Sequence, residues 1–173
     1  MAEAEGIVLP LTIQEGDPSD QVSNDAMPRF RIGLGLQNAN NKFSASTRCS
    51  VDLPSTMPVW GGRADALYAL DVSGATSASD YISNSLSFVN GTGVLDTNSA
   101  DVCASGSVAA WTTPGNRTVN VCAAFKNLSS AMAGTILIHE MLHTLGVSEK
   151  PQDPSAPYTT DQITQIVQQY CGN

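Results

Sequence analysis

Ile138-His139-Glu140-Met141-Leu142-His143-Thr144-Leu145-Gly146 holds both histidines of a 173-residue chain. The stretch reads H-E-x-x-H followed by x-x-G. Upstream, Ser129 or Ser130 is suited to cap a helix running from about Ala131 to Leu145. Met132, Ile136, Met141 and the Ala and Leu residues among them make it apolar nearly all round, as in a helix buried at the centre of a domain. Gly146 supplies a left-handed stop. Residues four apart on a helix lie one above the other, so His139 and His143 offer two imidazole nitrogens to one metal ion. Glu140, one step round, is placed to accept a proton from a water held there. This order of groups is that of a zinc site that activates water.

Such a site uses about three protein ligands and keeps one position open. With no further histidine in the chain, the third ligand is a carboxylate, or with less reason a thiolate or tyrosine. Glu149 lies three residues past Gly146, and a glycine there permits the sharp turn that folds a residue three later back under the metal. Asp153 and Asp161 are the alternatives further on. Blander readings exist for each. Glu149 also fits a solvated loop charge beside Lys150, and Asp161 a first-turn carboxylate favoured by the helix dipole. The five-residue pattern arises by chance on buried helices as well, but a buried Glu140 with no charged partner is costly, which favours the metal reading.

Hydrophobic content of 42% against 14% charged residues predicts a folded chain, and the length suits one domain with a sizeable core. Net charge is −8, which argues against nucleic-acid binding and against docking on anionic lipid. No stretch approaches the roughly 20 apolar residues of a membrane span. The start, Met1-Ala2-Glu3-Ala4-Glu5-Gly6, is acidic and lacks a signal-peptide pattern; we expect a mature or engineered start without its leader. Cys49, Cys103, Cys122 and Cys171 include no C-x-x-C pair, so two disulfides in an exported, secreted or extracytoplasmic protein are expected. Of the possible connectivities, Cys103–Cys122 and Cys49–Cys171 are favoured.

Residues 1–28 read as an N-terminal arm with a short strand at Ile7–Ile13, and residues 29–173 as a single domain. Asp17 or Asp20 in the arm is placed to reach an open metal position if the arm crosses the cleft. Arg29–Leu36 alternates Phe30, Ile32, Leu34 and Leu36, the pattern of a half-buried strand. Asn38–Ser46 reads as polar loop, and Val51–Trp60, with two prolines, as irregular structure or an edge strand. Arg63–Leu70 is a short helix. Ser77 with Asp80 opens another, whose stripe Ile82, Leu86, Val89 stops at Asn90-Gly91. Val108–Trp111 and Thr118–Phe125 flank the turn Thr113-Pro114-Gly115-Asn116 as an antiparallel hairpin. Trp60 and Trp111 read as core or hairpin packing. Past the loop of Pro151, Pro154 and Pro157, Thr159 and Gln162 form a capping box. Ile163, Ile166, Val167 and Tyr170 then give a closing amphipathic helix, tied down by Cys171.

The spacing His139-Glu140-x-x-His143-x-x-Gly146-x-x-Glu149 resembles the zincin metallopeptidases, and its extension is similar to the metzincin pattern, snapalysin-like enzymes included. Metzincins place His, or in the snapalysin-like group Asp, where Glu149 stands, and no methionine follows Met141 to form their Met-turn. Upstream, Val119-Asn120-Val121-Cys122-Ala123-Ala124-Phe125 resembles the aspzincin (deuterolysin-like) peptidases. Their third ligand is an Asp in a Gly-Thr-x-x-Asp segment; the Gly-Thr is absent here, while Asp153 and Asp161 lie downstream. The resemblance covers roughly residues 118 to 161.

The resemblance implies an α+β, zincin-like fold: a small twisted mixed sheet packed on a central active-site helix, with a C-terminal helix below. It implies Zn2+ held by His139, His143 and Glu149, and a monomeric zinc-dependent endopeptidase acting on protein or peptide with Glu140 as general base. Tyr158 is the candidate donor to the tetrahedral oxyanion, with Tyr170 behind it. The alternative is a metal-binding zincin-like module that recognises a protein or cell-wall partner without proteolysis. A third reading is a secreted structural domain without metal.

Overall fold

The computed structural model describes residues 26–60 and 64–172, so the expected strand Ile7–Ile13 and the candidates Asp17 and Asp20 lie outside the described residues. The elements are α1 (Ala26–Ala45), a π-helical turn (Arg48–Asp52), α2 (Leu53–Thr56), α3 (Ala66–Val72), α4 (Ala78–Asn84), β1 (Ser87–Asn90), β2 (Ala110–Trp111), β3 (Thr118–Val121), α5 (Ser130–Thr144) and α6 (Thr160–Cys171), with 3-10 turns at Val102–Ser105 and Ala123–Asn127. The chain is therefore mixed α+β, with a C-terminal helix. The sheet order is β1-β3-β2, with β1 parallel and β2 antiparallel to the central β3. The expected hairpin pairing is present as Ala110 with Val121 and Trp111 with Asn120, and β2 lies at the sheet's edge.

α5 begins where Ser129 accepts the Met132 N–H, and nearly all of it is buried. Its widest packing is against α1, where a strand and a loop were expected. The alternation over Arg29–Leu36 fits a two-residue period in that window alone. Extended to Ala39 and Phe43, the buried set Ile32, Leu36, Ala39, Phe43 steps by four, three and four residues, which is a helical stripe. Two glycines let the helices close on each other. A Cβ on Gly35 would lie 2.9 Å from Leu137 Cδ1 and 3.2 Å from Ala133 Cβ; one on Gly134 would fall on Asn38 Oδ1, 2.9 Å from the Asn38 Cβ. Glycine weakens the helical signal in sequence, and here packing overrides it. Because α1 starts at Ala26, the end of the expected arm at residue 28 falls inside this helix.

The helix expected from Ser77 to Val89 stops at Asn84. Ser77 does cap it, accepting the Asp80 N–H at 3.0 Å, while Asp80 Oδ2 takes the N–H of Thr76 at 2.9 Å. Ile82, Leu86 and Val89 fit a helical period, yet Ser87–Asn90 is β1. Pairing along β3 satisfies its backbone and buries Phe88. Val51–Trp60 is neither wholly irregular nor an edge strand. Pro54 sits at the start of α2, where its missing N–H costs nothing. Trp60 is not core: it is 66% exposed, while Trp111 is half-buried on β2.

α6 carries both halves of the expected capping box: Thr159 Oγ1 accepts the Gln162 N–H, and Gln162 Oε1 accepts the Thr159 N–H. It buries Ile163 and Val167. The disulfides are Cys49–Cys171 and Cys103–Cys122. Among the described residues no helix is long and apolar enough to cross a membrane.

Candidate metal centre

α5 delivers His139, Glu140 and His143 into the interior, each less than 5% exposed. The turn after it is held from two sides. The Gly115 N–H, from the turn between β2 and β3, donates to the His143 carbonyl at 2.8 Å, and the Trp60 N–H donates to the Gly146 carbonyl at 2.6 Å. Gly146 has φ +109, a conformation L side chains rarely adopt, and Val59 packs where its Cβ would be. The chain therefore reverses at this point. Asp153 shapes the return, accepting the Ser148 hydroxyl at 2.7 Å and the Ser155 hydroxyl at 2.6 Å, while its own N–H donates to the Glu149 carbonyl at 2.9 Å.

Three ligand atoms meet there. His139 Nε2 and His143 Nε2 are 3.0 Å apart, and Glu149 Oε1 lies 3.3 Å from the first and 2.9 Å from the second. A tetrahedral ion with bonds of about 2.0–2.1 Å sets its ligands about 3.3 Å apart, so the triangle has the size of a metal site. The far ring nitrogens are anchored. His143 Nδ1–H donates to the Val147 carbonyl at 2.6 Å, which fixes the tautomer, since a carbonyl only accepts. The neutral form of His143 therefore turns its Nε2 lone pair inward. His139 Nδ1 lies 2.9 Å from Thr164 Oγ1 on α6, a hydroxyl able to accept and so to support the same tautomer. Such outer partners orient metal-binding imidazoles and fix their tautomer.

Two lone pairs and a carboxylate repel one another unless a positive charge is shared among them. Burial lowers the basicity of His143, but the hydrogen bond to Glu149 and the pull of the Glu140 and Glu149 carboxylates outweigh it, pushing its pKa up to about 9. Burial likewise opposes ionisation of Glu149, yet its hydrogen bonds with His139 and His143 pull it down to about 2. The cluster could hold a cation, and these residues fit a metal ion. Glu140 stands apart: burial raises its pKa, and its Oε1 is enclosed with no hydrogen-bond partner among the described residues.

The other sequence candidates are not in this group. Asp153 is committed to the loop hydrogen bonds above, and Asp161 is exposed in the first turn of α6. Tyr158 and Tyr170 are half-buried against the core; the Tyr158 carbonyl accepts the Lys150 N–H at 2.8 Å, on the loop that follows Glu149. Sequence reasoning missed Thr164 and the Val147 carbonyl. Thr164 adjoins the buried Ile163 on α6, so its position at the margin of an apolar stripe was the available signal. No family model matches this sequence, and neither curated proteins nor solved structures give a match.

Proposed function

We propose that the chain is an exported zinc-dependent endopeptidase of the zincin type. The observation that carries the reading is the triangle of His139 Nε2, His143 Nε2 and Glu149 Oε1, with sides of 2.9 to 3.3 Å, beside an enclosed Glu140. Two imidazoles and one carboxylate form a donor set that suits zinc with a position left open. Bound there, zinc supplies a charge that lowers the pKa of a water towards about 7 and polarises a carbonyl. Glu140 would serve as the general base, taking a proton from the attacking water and returning one to the leaving amine. Its burial suits the role, because a base held above the ordinary carboxylate range keeps and returns a proton more readily.

β2 lies at the edge of the sheet among the described residues, where an extended peptide could add as a further strand. Tyr158 is the candidate donor to the oxyanion. Two disulfides support an oxidising, extracytoplasmic setting. The test is hydrolysis of an unfolded protein by the zinc-loaded chain. Glu140→Gln is expected to cut the rate by at least about a hundredfold while zinc remains stoichiometric. Zinc bound without any cleavage favours a recognition module, and no stoichiometric zinc after reconstitution favours a structural domain; either overturns the proposal.

A further inference from the structure

The oxygen Glu140 Oε1 and the hydroxyl of Thr112 are both enclosed by protein, and neither has a hydrogen-bond partner among the described residues. Thr112, 9% exposed, directly follows the edge strand β2, and β2 packs against α5, the helix that carries Glu140. Along an extended segment successive side chains alternate between faces. Buried Ala110 and Thr112 therefore share one face, and half-buried Trp111 takes the other. The position of Thr112 is held from the next turn, where Gly115 donates to the His143 carbonyl at 2.8 Å. Unpaired buried polar atoms are costly and uncommon, and these two on packed elements are complementary: an ionised carboxylate only accepts, and a hydroxyl donates.

We propose that Thr112 is a positioning residue for Glu140. Its hydroxyl engages the enclosed Oε1, directly or through one water, and leaves the carboxylate's other oxygen to work on the reacting water. This rests on the peptidase reading for its kinetic consequence and on the two unpartnered atoms for its geometry. A carboxylate fixed by one hydrogen bond presents one oxygen in one orientation; without it, the side chain turns between orientations that do not reach the proton.

Thr112→Val keeps the shape and removes the donor, and Thr112→Ser restores it. With zinc-loaded protein and an unfolded protein substrate, Thr112→Val is expected to lower kcat about ten- to a hundredfold, the range for a hydrogen bond to a charged group. KM, zinc stoichiometry and Tm should stay near those of the parent, and Thr112→Ser should recover most of the rate. Undiminished kcat in Thr112→Val, loss of zinc from it, or no rescue by Ser overturns the proposal. A crystal structure of the zinc-loaded protein judges it independently of turnover. Thr112 Oγ1 within hydrogen-bond distance of Glu140 Oε1, or sharing one water with it, supports the inference even if the chain cleaves nothing, and Thr112 bonded elsewhere sinks it.

Discussion

Glu149 and Thr164 meet the His139 imidazole from opposite ends. Glu149 Oε1 closes the ligand triangle at 2.9 Å from His143, whereas Thr164 touches only the far nitrogen of His139. Their removal should therefore separate by size. Thr164→Val is expected to weaken zinc binding about ten- to a hundredfold, the usual effect of losing an outer partner. Glu149→Gln, which removes a charged ligand, should cost more than that. Competition against a chelator of known affinity orders the two; equal losses would count against Glu149 as a ligand. The difference also explains what the sequence disclosed. His139, Glu140, His143 and Glu149 fall within eleven positions, close enough for helical spacing and one glycine turn to bring them together, so their grouping is readable from local rules. Thr112 lies beside the sheet edge and Thr164 on α6, far from the motif in sequence, and nothing beyond the margin of an apolar stripe at Thr164 marks either one.

At the level of elements, the α1–α5 contact depends on Gly35 and Gly134, and it was the least legible part of the fold. Both sides carry small residues where helix propensity is poor, so the two-residue alternation around Ile32 competed with a stripe visible only once Ala39 and Phe43 are included. Gly134→Ala should destabilise the protein by about 1–3 kcal/mol in denaturant titration through overpacking against Asn38. Gly33→Ala is the matched control: nothing lies within 4 Å of the added methyl, and the gain in helix propensity should stabilise by up to about 1 kcal/mol. If both substitutions stabilise, the close crossing is wrong. α5 and α6 were legible because their caps and apolar stripes agree with where they are buried. β1 was not, since four residues whose ladder partner lies some thirty positions away resemble the end of the preceding helix.

Across the whole molecule, the Cys49–Cys171 bond joins the region after α1 to the end of α6, with a sequence separation of 122, against 19 for Cys103–Cys122. Closing the longer loop restricts the unfolded chain more, by about 4–5 kcal/mol in the chain-entropy picture against roughly 3 for the shorter. Replacing Cys49 and Cys171 together by Ser should thus lower Tm more than the same change at Cys103 and Cys122, as calorimetry would show. Lys42, nearly buried on α1, adds a hydrogen bond to the Gly172 carbonyl at 3.2 Å at the same end of the chain. If the proposed peptidase meets its own copies, the long bridge has another effect. Every peptide bond from Cys49 to Cys171 lies inside one covalent ring, so a single self-inflicted cut there opens the ring without releasing a fragment. Nicked molecules should migrate as one species on a non-reducing gel, separate only after reduction, and keep metal ligands from both sides of a cut tethered to each other.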